Sequence, residues 1–415
     1  MLGFLLPHGY INCNFDNLNS YCKRTSAINS ANNMDEQSAS TKPQRLANLD
    51  AIRGVGVLGI FFLNIYFMGN SFYGYAPHAV QPYSDIAIEL LSNFFLEGRF
   101  FSLFAIIFGA GMLIQFQKYQ LALAQPSSHQ FLKQQKWRLY WLIIFGIIHG
   151  IFIFPGDILL SYGISGLLAF KYRYLDADAL IKRAKWFIFL SLIPIALISL
   201  SPDDQVYLRD SALFTEQLSA WTGTYTEQLL MHLMLVGYMV MVIPLTLMWY
   251  IAGLMLIGMA MYKRHVFSEG FDTPSVKQFT FWAIVLSLID CVLSFSGNSI
   301  LMSLSDVILL LSALACALVY IHIICLVCNN SPQRLSALQN VGKLAFSLYI
   351  LQSIVGIVLL RYFAPQWQQE LDRIGYFFIA MIYSMVQLGL THVYLRYFNQ
   401  GPLEKLWRYL VSKCA

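Results

Sequence analysis

The chain has 415 residues, of which 57% are hydrophobic and 12% are charged, and its formal net charge is +5. Soluble domains carry about 25% charged residues, so this composition excludes an ordinary soluble protein. The basic residues are spread along short segments between apolar runs, which excludes a nucleic-acid-binding surface. Because runs of about 20 apolar residues recur, we predict an all-α, polytopic membrane bundle of about ten transmembrane helices.

The first 44 residues differ from the rest of the chain. They are polar, rich in Asn and Ser, and carry no apolar segment followed by a signal-peptide cleavage site. We predict a disordered cytoplasmic tail at 1–44, followed by a single transmembrane domain at 45–415. The sequence leaves both Met1 and Met34 open as the start of the protein.

The first predicted span, residues 51–69, begins with charge. Asp50 and Arg53 lie three residues apart and share a helix face, which continues through Val57 to Asn64. Polar side chains in a span usually face a bundle interior or a wet cavity. A structural ion pair at a helix end is the alternative. Three glycines that would let another helix approach lie in the same segment: Gly54, Gly56 and Gly59.

Nine further spans follow from hydropathy, at about 99–117, 139–154, 157–171, 186–201, 230–262, 278–297, 305–327, 344–361 and 374–397. Pro244 predicts a kink in the sixth span, and residues 85–98 form an amphipathic segment expected at the outer interface. Lys and Arg concentrate in alternate loops. The positive-inside rule therefore predicts that both termini are cytoplasmic and that residues 202–229 lie outside.

The third and fourth spans meet at Pro155-Gly156, a turn that predicts an antiparallel helical hairpin. Asp157 follows at an N-cap position. His149 lies about 8 Å below the outer surface at ~1.5 Å per residue, and Asn64 has a similar depth. We therefore expect these three side chains to meet in one cavity, where His149 is a base that Asp157 orients. The alternative is a core histidine beside an ordinary helix cap.

Three more polar residues are candidates for the cavity. Arg99 lies at an outer mouth, Gln352 in the ninth span and Asp290 in mid-membrane. A helix-to-helix hydrogen bond is the alternative for Gln352. The chain has no metal-ligand spacing, phosphate-binding loop or nucleophile elbow, so we predict no metal site and no tightly bound cofactor.

Five segments resemble the YeiB-like family of bacterial membrane proteins, whose function is unassigned. RLANLDAIRGVGVLGIFFLNI is similar to the family pattern RxxxLDxxRGxxxxGIxxxNI, and GIIHGIFIFPGDILLSY to GxxHGxxxxxGDILxxY. GRFFSLFAIIFGAG, GKLAFSLYILQS and GPLEKLWR resemble three further motifs of the family. The resemblance runs from about Arg45 to Arg408 and implies a multi-pass protein of the bacterial inner membrane.

The YeiB-like family is itself similar to the membrane acyltransferases that acetylate heparan glucosamine, and more distantly to those that O-acylate cell-surface sugars. In the distant group a His stands fourteen residues after the Asp of the first helix. This chain has Asn64 there, so its first helix supplies no histidine base of that kind.

Two functions follow as hypotheses. In the first, acyl-CoA from the cytoplasm is a co-substrate at Asp50 and Arg53, and its acyl group passes to an extracytoplasmic acceptor such as a sugar. His149 is the base, Asp157 its orienter and Asn64 a donor to the developing oxyanion.

The second hypothesis is a transporter or exporter without covalent chemistry. Asp50, Arg53, His149 and Asp290 would then bind substrate or coupling ions. A purely structural membrane protein is a third possibility. In every case the lipid bilayer is the partner that the composition implies.

Overall fold

The computed structural model describes residues 28–70, 72, 74–122, 128–200 and 208–414, with the backbone alone for 28–46, 118–122, 128–131 and 299. Residues 1–27 of the predicted tail lie outside this part, and the tail stays a prediction. The α-helices are α1 Ile28–Gly69, α2 Tyr83–Phe95, α3 Arg99–Ala122, α4 Ser128–Phe152, α5 Ile158–Phe170, α6 Ala177–Ser199, α7 Ala212–Thr222, α8 Tyr225–Val242, α9 Leu247–Lys263, α10 Val266–Glu269, α11 Thr273–Ser294, α12 Ser299–Asn330, α13 Ser336–Lys343, α14 Ala345–Ile357, α15 Trp367–Glu370, α16 Arg373–Tyr397 and α17 Pro402–Cys414. A 3₁₀-helix, Pro332–Leu335, precedes α13, and a π-helix, Val358–Phe363, follows α14.

The described residues contain no β-strand, so the all-α prediction is confirmed. Six helical segments in this part are long and apolar enough to cross a membrane, and a seventh is added if α8 and α9 count as one broken span. The protein is therefore a multi-pass membrane protein. The count of about ten spans stays a prediction, since α4, α5 and α6 occupy the predicted third to fifth spans but are not among these segments.

The predicted sixth span is two helices. α8 and α9 are bent by 65° across a short break that contains Pro244. Proline removes one helical hydrogen bond, and the backbone carbonyls left over need other partners in a membrane. The Trp249 Nε1–H donates to the Pro244 carbonyl over 3.1 Å, and the Thr246 hydroxyl to that of Val242 over 2.8 Å. The predicted kink is confirmed as a complete break.

Helix α2 covers most of the segment predicted to be amphipathic, and its polar face is turned inward. Asp85, Ser92 and Asn93 are buried, whereas the large apolar residues Leu90 and Phe95 are exposed. Such a helix suits lipid, where the apolar face needs no cover. Its position at the interface stays a prediction.

Close helix crossings bring together the elements that carry the site. α1 crosses α13 so tightly that a Cβ on Gly342 would overlap the Asp50 carbonyl, and one on Gly54 would overlap the carbonyl of Leu338. The predicted role of Gly54 in close approach is therefore confirmed. This crossing sets Lys343, the last residue of α13, beside the charged start of the first span.

The C-terminal helix α17 lies across α4 and α14. The Trp407 Nε1–H donates to the Arg138 carbonyl over 3.1 Å. The Glu404 carboxylate accepts from the backbone N–H groups of Phe346 (2.9 Å) and Ser347 (3.1 Å), in the first turn of α14. Glu404 thus satisfies orphan donors that α14 cannot satisfy itself.

Candidate functional site

A cavity of about 650 Å³ lies between α1, α3, α4, α5, α13, α14 and α17. Its residues come in two groups. Charged and amide side chains from the predicted cytoplasmic ends of the helices form one end: Asp50, Arg53, Gln115, Gln135, Arg138, Lys343, Asn399, Gln400, Glu404 and Arg408. Apolar and aromatic side chains form the deeper part, among them Val57, Ile60, Phe104, Phe108, Leu142, Ile158, Tyr162 and Tyr349. Such a cavity fits a molecule with a polar, charged head and an apolar arm.

The polar end is basic. It has two carboxylates, those of Asp50 and Glu404, and four basic side chains: Arg53, Arg138, Lys343 and Arg408. Arginine forms bidentate hydrogen bonds with phosphate and carboxylate, and a low-dielectric wall strengthens the attraction. This end therefore favours an anionic group.

Asp50 and Arg53 form the ion pair that the sequence left open as the alternative, and both side chains also line the cavity. Arg53 Nη1 donates to Asp50 Oδ1 over 2.9 Å, and about a third of the Arg53 side chain remains exposed to the cavity mouth. Since Arg53 has only this one carboxylate partner in the described chain, its other nitrogen atoms can reach a ligand. The shared face continues inward through Val57 and Ile60, both in the wall.

The predicted contact between His149 and Asp157 is also present. His149 Nδ1 lies 2.8 Å from Asp157 Oδ1, and both side chains are almost completely buried. A carboxylate accepts, so Nδ1 carries the proton and Nε2 has a free lone pair. That Nε2 atom is buried with no hydrogen-bond partner among the described residues. A base needs this arrangement: one nitrogen held by a carboxylate and the other unoccupied.

Asp157 is held by its position at the start of α5. Its Oδ2 accepts from the Leu160 N–H over 2.8 Å, an N-cap hydrogen bond. The neighbouring helix α4 can approach because residue 146 is glycine. A Cβ on Gly146 would meet both the Leu160 nitrogen and Asp157 Oδ2 at less than 3 Å. The tight turn, the cap and Gly146 together place the carboxylate against the imidazole.

Tyr349 connects the His149–Asp157 pair to the cavity. Its hydroxyl donates to Asp157 Oδ1 over 3.3 Å and accepts from the Ile158 N–H over 3.2 Å, and its ring centroid lies 5.4 Å from that of His149. Tyr349 and Ile158 line the cavity, whereas His149 does not. The His149–Asp157 pair therefore lies behind the Tyr349 side chain at the apolar end of the cavity.

The expected meeting of Asn64 with the pair does not occur. Asn64 is half-buried in α1, lies outside the cavity wall, and forms no hydrogen bond with His149 or Asp157. The three residues were expected to meet because His149 and Asn64 have similar depths in the membrane. Depth does not fix the direction in which a side chain leaves its helix, and the Asn64 side chain does not point toward the His149–Asp157 pair.

The other three cavity candidates lie outside the wall as well. Gln352 donates to Gln387 Oε1 (2.8 Å) and to the Val57 carbonyl (3.0 Å), so the helix-to-helix alternative is the one observed. Buried Arg99 donates to the Glu97 carbonyl and to Ser287.

Asp290 is likewise buried away from the cavity. It accepts from Ser305 over 2.8 Å, and its second oxygen has no partner in the described chain. Asp290 lies in α11, a helix that contributes no residue to the wall of the cavity that contains Asp50 and Arg53.

Sequence reasoning missed several residues of the wall. Arg138 and Arg408 were among the basic residues used only to predict orientation, although each lies in a helix that reaches the mouth of the cavity. Tyr349 was not predicted as a wall residue, because an aromatic residue in an apolar span usually packs in the core. Its place in GKLAFSLYILQS, three residues before Gln352, was the available signal.

Comparisons with known proteins agree with this architecture. Residues 261–413 match the family described as "Protein of unknown function (DUF418)". The chain is 25% identical over 399 residues to the uncharacterized protein YeiB of Escherichia coli (strain K12), covering 90% of this chain and 97% of YeiB. It is 25% identical over 390 residues to the uncharacterized protein YxaH of Bacillus subtilis (strain 168), covering 88% of this chain and 94% of YxaH. The matches span nearly the whole length of both relatives, so the chain is similar to YeiB and YxaH from end to end, and its residues 261–413 match the model of the DUF418 family.

Proposed function

We propose that this protein is a membrane acyltransferase that moves an acyl group from cytoplasmic acyl-CoA to an extracytoplasmic acceptor. One observation carries the proposal: a single cavity has a basic mouth at Arg53 and an apolar end at Tyr349, which is bonded to the His149–Asp157 pair. Acyl-CoA has matching chemistry, with phosphates at one end and a thioester on a long, uncharged arm at the other. Arg53, Arg138, Lys343 and Arg408 bind the phosphates.

The chemistry follows from the buried pair. His149 Nε2 takes a proton from an acceptor hydroxyl or amine, whose oxygen or nitrogen attacks the thioester carbonyl. The carbon–sulfur bond of the tetrahedral intermediate then breaks, the acyl group stays on the acceptor, and the CoA thiolate leaves with the proton from His149. Asp157 Oδ1 holds the imidazole in the required tautomer and stabilises its cation.

The transport hypothesis grouped Asp290 with Asp50, Arg53 and His149 as substrate- or ion-binding residues. The Asp290 carboxylate lies outside the wall, and no other observation favours transport, so acyl transfer is the function proposed.

The test is binding and hydrolysis of acetyl-CoA by the protein purified in detergent. We expect saturable binding that Arg53→Ala weakens by about 1.5–3 kcal/mol, the loss of a charged hydrogen bond. That is about a 10- to 140-fold increase in Kd. Arg264→Ala is the matched control, since Arg264 also pairs with an aspartate, Asp178, but on an exposed surface. Equal affinity in wild type and the Arg53 variant would remove the basic mouth from donor binding, and absence of any binding by wild type would end the proposal.

A further inference from the structure

Arg361 is a buried arginine on the predicted outer side of the membrane, away from the cavity. It lies in the π-helix Val358–Phe363, a rare type of helical turn that is frequent at functional sites. Only 3% of the residue is exposed. Its Nε donates to the Met68 carbonyl over 3.1 Å, and its guanidinium carbon lies 3.9 Å from the ring centroid of Trp221.

The Arg361 guanidinium has a histidine as its nearest side-chain partner. Nη1 lies 3.0 Å from His232 Nε2, and His232 Nδ1 lies 3.0 Å from the Ile151 carbonyl. A carbonyl only accepts and a guanidinium only donates, so His232 carries its proton on Nδ1 and is neutral. Gln228 Oε1, 3.4 Å from Nη1, is neutral too.

The charge of Arg361 is therefore unbalanced. No carboxylate of the described chain forms a salt bridge with it, and its Nη2 atom has no hydrogen-bond partner there. A buried charge without a counter-ion is unfavourable, and stacking on Trp221 offsets only part of that cost. An oxyanion that accepts from Nη2 would supply the missing charge.

This cluster adjoins the proposed active site and also reaches the surface. The carbonyl that His232 binds belongs to Ile151, two residues beyond His149 in the last turn of α4. On the other side, the Tyr362 hydroxyl donates to Gln228 over 3.4 Å, and Tyr362 is half exposed. The cluster therefore extends from buried Arg361 through Gln228 to the exposed ring of Tyr362.

We propose that Arg361, held in place by His232, binds the oxyanion, a carboxylate or a phosphate, of the acceptor in the transfer reaction. The acceptor is thus an anionic molecule that enters from the extracytoplasmic side. This identity rests on the proposed function, whereas the anion site itself does not.

The experiment measures thermal unfolding of the delipidated protein in detergent at constant ionic strength. The probes are glucuronate, glucose 1-phosphate, neutral glucose and phosphatidylglycerol. We expect a saturable rise in unfolding temperature with glucuronate or glucose 1-phosphate and none with glucose. Arg361→Gln should abolish the rise, and Arg361→Lys, which keeps the charge but loses the planar fork, should weaken binding at least about tenfold.

Arg53→Gln is the control that separates the two sites. It should keep the response to the anionic sugar and lose affinity for acetyl-CoA. A response that disappears in Arg53→Gln and persists in Arg361→Lys would place the anion in the basic mouth and overturn the inference. A response to phosphatidylglycerol alone, or to no probe in wild type, would overturn it as well. An anion response without acetyl-CoA binding would leave the site standing and remove the proposed function.

Discussion

At the scale of single residues, the main prediction concerns the hydrogen bond between His149 and Asp157. We expect His149→Ala to lower acyl transfer by about 10²–10⁴-fold, the usual contribution of a general base, with donor binding unchanged. Asp157→Asn should lower transfer less, since the imidazole remains. The measurement is single-turnover transfer from radiolabelled acetyl-CoA once an acceptor is found, or hydrolysis before that.

Asp176 provides a matched control for that change. It caps α6 through a hydrogen bond from the Ala179 N–H, the same cap that Asp157 gives α5, but it is exposed and has no histidine partner. Asp176→Asn should leave transfer unaltered. If both Asn variants lose the same activity, the effect comes from the helix cap and not from orientation of the base.

Gly146 permits a second prediction at this scale. Gly146→Ala inserts a methyl group against the Leu160 nitrogen and Asp157 Oδ2, so we expect a loss of about 1–3 kcal/mol in stability from overpacking. Gly237→Ala, in α8, adds its Cβ in open space and should be neutral or stabilising by up to about 1 kcal/mol. Thermal unfolding in detergent compares them, and equal effects would contradict the close approach of α4 and α5.

The residue-level predictions succeeded where the chain itself limits the geometry. Asp50 and Arg53 are one helical turn apart, and His149 and Asp157 are joined by a short turn, so local structure fixes both contacts. Asn64 and Tyr349 depend on how distant helices turn about their axes. No local pattern sets that, because lipid accepts an apolar face in any direction.

At the scale of helices, one carboxylate of α17, that of Glu404, caps the first turn of α14. Glu404→Gln removes the charge that holds the N–H groups of Phe346 and Ser347, and we expect a loss of about 1.5–3 kcal/mol. Glu216→Gln, on an exposed face of α7, is the control and should change stability little. Thermal unfolding with and without acetyl-CoA is the readout. A Glu404 variant as stable as the control would mean that α17 is only loosely attached.

Helix boundaries were predictable where hydropathy changes sharply, and less so where a span is broken or changes its helix type. The long sixth span contained Pro244, yet proline alone predicts a kink and not the 65° break between α8 and α9. Hydropathy does not predict the π-helix after α14, since it does not distinguish a π-helical turn from an α-helical one. At both places side chains donate hydrogen bonds to backbone carbonyls, Trp249 to that of Pro244 and Gln368 to that of Leu360.

At the scale of the whole molecule, orientation is the main prediction. The four basic residues of the cavity mouth come from four different helices and share one end, as expected if that end is cytoplasmic. A reporter fused after Ala415 should be active only if it functions in the cytoplasm, and one inserted in 202–229 only if it functions outside. Activity of an extracytoplasmic reporter at the C-terminus would reverse the proposed direction of transfer.

The position of α17 has a consequence for biogenesis. Helix α17 is synthesised after all the membrane-spanning segments of the described residues, and it carries Glu404, Trp407 and Arg408 of the cavity wall. Those segments can therefore enter the membrane before the wall of the cavity is complete. A chain that stops at Phe398 would keep them and lack five residues of the wall, so we expect it to insert in the membrane without forming the cavity.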